Sequence, residues 1–387
     1  MYPVLALGFR PFYLLAALFA VAALPLWMGF HFNVLPAGAY LVGISWHTHE
    51  MLFGFTPAVI AGFLLTAVRN WTGRSTPSGS VLLALALLWL SARILILTGP
   101  PPIAALVDLL FLPLLAAAVG IPIVRSGNYR NLQVLAALLA LWTANLIFHF
   151  AHLNIISPFL EWLGMLAALD VILILVAIMA GRIIPAFIAN AAPAARPRRN
   201  AFVEVLAIGS LVLLLGVVVI NFFNRLPGTV SLLLLIVATI AHTIRLALWD
   251  PLKARGQPLL WMLPVAYAWV PLALALRTLT AVLPDFNQTI GIHALTVGAV
   301  GGLMLAMMTR TALGHTGRRL EAGPVEVTAF VLVQVGGLVR VFPAIVWPDS
   351  YSVFLLTSTA LWCVAFAVYL AGYWPILTRP RVDGRPG

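Results

Sequence analysis

The chain has 387 residues, of which 63% are hydrophobic and only 9% are charged. A soluble globular domain carries about 25% charged residues, so this composition excludes one and predicts an integral membrane protein. The formal charge of +11 is distributed as an orientation signal rather than as a nucleic-acid surface, and the single cysteine, Cys363, excludes an internal disulfide or thiolate cluster.

Apolar runs of roughly 20 residues are long enough to cross a bilayer as helices. They fall at 11–30, 45–69, 79–98, 101–124, 131–153, 160–188, 201–223, 226–248, 258–281, 287–311, 324–346 and 349–377. The predicted fold is all-α, a polytopic integral membrane bundle of about 12 transmembrane helices forming one transmembrane domain over residues 1–387. Span one opens with LGFRPF, lacks a small-residue cleavage site and continues into a long apolar run, so a retained helix is expected rather than a signal peptide. The longest polar stretch, APAARPRRN (192–200), reads as a linker.

Basic residues gather at alternate ends of these spans. Arg10 precedes span one, Arg69 and Arg74 follow span two, and Arg125 and Arg130 follow span four. Arg182, Arg196, Arg198 and Arg199 follow the core of span six, while Arg245, Lys253 and Arg255 flank the end of span eight. Arg310, Arg318 and Arg319 flank the end of span ten, and Arg379, Arg381 and Arg385 close the chain. Only Arg93, Arg225, Arg277 and Arg340 lie toward the other side. The positive-inside rule then places both termini in the cytoplasm, and an even number of spans agrees.

With that orientation the histidines acquire a depth. His31 ends span one, His47, His49 and Glu50 open span two within WHTHEMLFGF (46–55), His149 and His152 end span five, and His293 opens span ten. These six imidazoles all fall toward the outer face, whereas His242 on span eight and His315 after span ten belong to the inner half. Each histidine alone is equally readable as a hydrogen-bonded core residue, and His31 as a loop residue. Together they point to metal or haem, because an unsatisfied polar group in lipid is costly and coordination removes that cost.

Helical spacing puts His47 and Glu50 on one face and His49 nearly opposite, so WHTHE serves two neighbouring sites or is partly unwound. His149 and His152 share a face and suit one metal or adjacent ones. Glu50 is placed to deliver protons or to orient a histidine ligand, and Asp108 and Asp170 are relay groups or arginine partners. Arg93, Arg277 and Arg340 suit haem propionates, or snorkel to the interface. Gly298 and Gly302 form a G-x-x-x-G pair, and Gly301 offers bare backbone to a flat macrocycle two turns from His293; helix packing explains the same glycines. Met304, Met307 and Met308 read as core filler. There is no P-loop, no Rossmann fingerprint and no C-x-x-C-H attachment site, so any haem is non-covalent.

WHTHEMLFGF, GFLLTAVRNWTG (62–73), GRIIPAFIAN (181–190) and HALTVGAVGGLMLAMMTRTALGHTGR (293–318), with the opening LGFRPFYLLAALFA, together resemble the NnrS family. One departure is Arg69, where proline is expected before Asn-Trp-Thr-Gly; it affects a turn and leaves the histidines untouched. The resemblance implies a multi-pass protein of the bacterial inner membrane containing haem b and copper. Such proteins are linked to nitric oxide, denitrification and resistance to nitrosative stress. His47, His49, Glu50, His293 and His315 carry over on matching motifs, whereas His149, His152 and His242 rest on residue chemistry and depth.

The expected activity is that of a nitric oxide reductase, an oxidoreductase joining two NO molecules into N2O. Nitric oxide would be the substrate, and a quinol or small redox protein the electron donor. Glu50, His49 and His293 are the expected catalytic groups. His47, His149 and His152 join His49 and His293 as cofactor ligands, with His242 and His315 as further metal candidates. The alternatives are a non-catalytic protein that binds haem and copper to buffer nitric oxide, and a transporter of metal or solute. A transporter would gather its polar groups nearer the midplane.

Overall fold

The computed structural model describes residues 2–36, 38–224, 226–283 and 285–385; Arg225, one of the four basic residues expected on the outer side, lies outside the described residues. The described residues hold helices and turns and no strand. Among the described residues, twelve helices are long and apolar enough to cross a membrane. They are α1 (Phe9–His31), α2 (Gly43–Thr72), α3 (Gly79–Thr98), α4 (Pro101–Arg125), α5 (Tyr129–His152), α6 (Leu160–Ala191), α7 (Ala201–Phe223), α8 (Gly228–Leu248), α9 (Pro258–Val282), α10 (Gln288–His315), α11 (Pro324–Val346) and α12 (Pro348–Thr378).

Local chemistry sets the helix ends. Prolines occupy the first turn of α4, α9 and α11, where a missing N–H costs nothing. Asn200 caps α7 by accepting from the backbone N–H groups of Phe202 and Val203, and Asn287 caps α10 through Thr289. Gly73 ends α2 in the left-handed region at φ +66°, which a side chain would strain.

The chain divides into two compact units. The first comprises Met1–Leu169, Met307–Leu320 and Phe366–Gly387; the second comprises Asp170–Ala306 and Glu321–Ala365. In the first, α2 packs on α1 and α4, α3 packs on α4, and α4 packs on α5. In the second, α8 lies between α7 and α9, and α10 packs against α9 and α11. Burial is uneven: 83% of the apolar window of α2 is enclosed, against 28% for α7 and α8. A helix wrapped by protein can carry ionisable groups away from lipid, so α2 is suited to hold a polar site.

Two helices change pitch. α2 becomes a π-helix over Glu50–Phe55, and α10 does so over Ala294–Gly301. Each widened turn directly follows a histidine, His49 or His293. Widened turns of this kind are rare and concentrate where function requires a displaced side chain.

Candidate metal centre

The π-turn of α2 determines what the motif at its start presents. His49 is the last residue before the widened turn and Glu50 the first within it, and both are enclosed, at 0% and 1% exposure. Regular helical spacing pairs Glu50 with His47, but the structure bonds Glu50 to His49: Glu50 Oε1 lies 2.9 Å from His49 Nδ1. His47 stacks on Trp27 with ring centroids 4.1 Å apart.

Two further helices complete the group. α5 brings His149, fully enclosed, and α4 brings Asp108 at 3% exposure. The close approach of α6 to α5 beside His149 depends on Gly164, where a β-carbon would lie 2.7 Å from the carbonyl oxygen of Ala144. His49 Nε2 is 3.2 Å from His149 Nε2 and 3.4 Å from Asp108 Oδ2, and His149 Nε2 is 3.1 Å from the same oxygen. One ligand atom from each of His49, Asp108 and His149 thus converges on one point.

These separations fit a bound metal ion. Ligand atoms about 2.1 Å from one ion, at angles of about 95–110°, stand about 3.1–3.4 Å apart. Two imidazoles and one carboxylate form the donor set of mononuclear iron sites with open positions, and imidazole also suits copper and zinc. The triad does not fit haem iron, because the porphyrin supplies four equatorial nitrogens and leaves room for axial ligands only.

Charge gives an independent argument. Arg93, enclosed at 6% exposure, reaches Glu50 Oε1 at 2.5 Å and pairs with Asp108 Oδ1. Two carboxylates and one guanidinium leave a net charge of −1 when both imidazoles are neutral. Burying that excess in apolar surroundings is unfavourable, and one more positive charge removes it. Glu50 Oε2 is buried with no hydrogen-bond partner, and so is Asn145 Oδ1. Such orphaned oxygens beside a cluster of lone pairs mark a site made to receive a further group.

The surrounding groups fix the rings. Carboxylates and hydroxyls on the far nitrogen of a metal-binding histidine set its tautomer and raise its basicity. Glu50 accepts from His49 Nδ1–H, which turns the Nε2 lone pair toward the triad. Tyr40 Oη lies 2.9 Å from His149 Nδ1 and does the same for the second ring. Burial, with the charge of Glu161 adding, pushes the Tyr40 phenol above its ordinary value, so it stays protonated. Asn145 Nδ2 donates to Asp108 Oδ2 at 2.6 Å. Phe53 and Phe148 press on the His49 ring, with centroids 5.2 and 5.1 Å away, and exclude water.

The other expected residues have partners of their own. His152 turns from the triad to Glu161, its Nδ1 2.9 Å from Oε2, and Ser45 donates to the other oxygen of Glu161. His242, His293, Arg277 and Arg340 belong to the second unit. There both ring nitrogens of His242 are bonded, to Tyr267 Oη at 2.6 Å and to the carbonyl oxygen of Ala207 at 3.1 Å. Arg277 pairs with Asp170 at 2.7 Å. His293 donates from Nδ1 to the carbonyl of Thr289 at 2.7 Å, and its Nε2 lies 3.4 Å from Arg340 Nη2. The bare backbone at Gly301 faces the ring of Trp362, and that at Gly298 faces Trp269, as helix packing requires. His315, in the first unit, packs on Phe9. Sequence reasoning singled out Asp108 only as a relay or an arginine partner; its signal was a carboxylate inside an apolar span. Tyr40 sits in a connecting segment and carried no signal.

Among curated proteins none matches this chain. A family model described as NnrS protein matches residues 3–381, nearly the whole length. This multi-pass membrane chain, with its buried His-Asp-His cluster, belongs to the NnrS family.

Proposed function

We propose that the protein is a metal-dependent nitric oxide reductase of the bacterial inner membrane, working in the outer half of the bilayer. The observation that carries the reading is the convergence of His49 Nε2, His149 Nε2 and Asp108 Oδ2 in a buried cluster. Family membership supplies the link to nitric oxide. The overall chemistry joins two NO molecules with two electrons and two protons to give N2O and water.

His49, His149 and Asp108 would hold an iron or copper ion. When bound, the ion supplies one-electron chemistry and an electrophilic position for nitric oxide. The chain's own residues do the rest. Glu50 and Tyr40 keep both Nε2 lone pairs aimed inward, and Phe53 and Phe148 keep water from the His49 ring, which suits a small uncharged substrate that concentrates in lipid. Protons enter through groups that are part exposed. The side chains of His152 and Glu161 are 21% and 16% exposed, and Tyr40 meets the His152 ring edge-on at 5.3 Å while its hydroxyl contacts His149. Glu161 and His152 hold the proton at the surface, and Tyr40, whose hydroxyl accepts from His149 Nδ1–H, stands between them and the triad. Haem, expected from the family, finds no place in the triad. The electron donor is a quinol or a small redox protein, and the basic ends of the helices orient the site toward the periplasm.

The test is turnover. Purified protein given nitric oxide and a reduced donor is expected to release one N2O per two NO over many cycles, and His49→Ala is expected to lose this activity at least 100-fold. Uptake of nitric oxide that stops at one or two molecules per chain, with no N2O, would replace catalysis by buffering.

A further inference from the structure

The segment from His49 to Arg74 and the segment from His293 to Arg318 have equal length, and their likeness goes beyond sequence. Each opens on a histidine, passes at once into a π-helical turn and ends in Thr-Gly-Arg, with glycine in the left-handed region at φ +66° for Gly73 and +76° for Gly317. Gly54 and Gly298 hold the same place in the two turns. Each offers its carbonyl to a side-chain N–H from the following helix: Trp89 Nε1 to Gly54 O at 3.0 Å, and Gln334 Nε2 to Gly298 O at 3.3 Å. Farther along those helices stand Arg93 and Arg340, and each reaches back to the histidine end of its π-turn. The sequence offset between corresponding residues is constant to within a few positions. The chain therefore contains the same device twice, as internal repeats in membrane proteins do.

The second copy lacks the acids of the first. Ala294 stands where Glu50 stands in the first, and Leu355 occupies the register of Asp108. The arginine is present in both. Arg340 is enclosed at 6% exposure, like Arg93, but Arg93 meets two carboxylates and Arg340 meets none among the described residues. Its Nη2 donates to Tyr351 Oη at 2.7 Å and approaches His293 Nε2, and its guanidinium lies 4.9 Å from the Tyr351 ring centroid. Nε and Nη1 donate to no group among the described residues. Because Tyr351 Oη accepts from Arg340, its own hydrogen is directed elsewhere. A buried guanidinium without a counter-charge is costly within an apolar helix bundle, and a fork of N–H groups beside a phenol O–H matches a planar anion.

We propose that Arg340 and Tyr351 form an anion site, the repeat counterpart of the metal centre with its charge reversed, for a planar monoanion of carboxylate geometry. The anion is either free in solution or an arm of a larger bound group. Arg340 Nε and Nη1 grip it, Tyr351 donates the third hydrogen bond, and His293, locked by Thr289, buttresses the guanidinium from behind. The site lies wholly in the second unit and does not depend on the metal triad or on nitric oxide reduction.

The test uses the purified full-length protein in detergent, without added metal, and follows thermal stability by size exclusion after heating. Formate and nitrite are titrated first, and protohaem and its dimethyl ester second. A saturable rise in wild-type stability with formate or nitrite is expected if the anion is free. A rise with protohaem but not with its ester, and none with the small anions, assigns the site to the carboxylate arm of a bound macrocycle. In either case Arg340→Gln is expected to abolish the rise, Arg340→Lys to weaken binding at least ten-fold by losing the fork, and Tyr351→Phe to weaken it several-fold. Glu50→Gln, in the first copy, is expected to leave it unchanged. No response to any of the four probes, or an equal response in Arg340→Lys and Tyr351→Phe, overturns the proposal even if Arg340→Gln does not fold.

Discussion

The two imidazoles and the carboxylate of the triad have different partners, so their substitutions should differ. His49→Ala and His149→Ala remove a ligand and leave a small cavity, and each is expected to abolish metal binding. Asp108→Asn removes a ligand oxygen and leaves Arg93 paired with Glu50 alone, and it is expected to lower metal content without unpairing the guanidinium. Tyr40→Phe keeps the ring and removes only the hydroxyl on His149; a loss of metal affinity of about 10–100-fold is expected, measured by competition with a chelator. The same substitution has a signature in pH. Burial raises the Tyr40 pKa above its unfolded value near 10, so this residue's share of stability is present below about pH 10 and is lost as pH rises beyond it. Wild type should therefore lose more stability between pH 9 and 11 than Tyr40→Phe, which thermal unfolding at about those pH values will show. Of these residues, the histidines were legible in the sequence because imidazoles are conspicuous among apolar residues. Tyr40 was not legible, because aromatic residues in connecting segments are common and nothing in its neighbours indicates what it touches.

At the level of elements, the π-turn of α2 separates sequence expectation from structure. Spacing of 3.6 residues per turn set His47 beside Glu50; the widened turn begins at Glu50 itself and binds that carboxylate to His49. No residue pattern announces such a turn, since its cause is tertiary: the carbonyl of Gly54 is taken by Trp89 from α3, and Arg93 from the same helix draws Glu50 inward. Glycine is needed at that point. A β-carbon on Gly54 would lie 2.7 Å from Arg93 Nη1, a side-chain atom that can shift, whereas one on Gly164 would lie 2.7 Å from the backbone oxygen of Ala144 and 2.9 Å from the backbone nitrogen of Phe148. Gly54→Ala is accordingly expected to cost about 1–3 kcal/mol and to loosen metal binding by displacing Arg93, and Gly164→Ala to cost more, since backbone cannot move aside. Thermal unfolding of the two variants gives the order.

At the scale of the whole molecule, twelve apolar runs announced twelve helices because lipid demands length and apolarity from every span. Which helices pack together was not legible: most spans are apolar on all faces, so no stripe distinguishes a protein-facing side from a lipid-facing one. The convergence of three helices on the triad emerges only from tertiary packing, as does the repeat of the π-turn device. Topology remains testable by fusion: a fluorescent reporter at the C-terminus is expected to mature, and a periplasmic phosphatase at the same place to stay inactive. The central claim is that His49, Asp108 and His149 hold a metal ion, and metal analysis of protein purified without chelators tests it most directly. With haem iron determined separately and subtracted, wild type is expected to carry one iron or copper per chain, and His49→Ala, Asp108→Ala and His149→Ala to carry none while keeping their helical content. A wild type free of such metal, or triad variants that retain a full equivalent, would contradict the account.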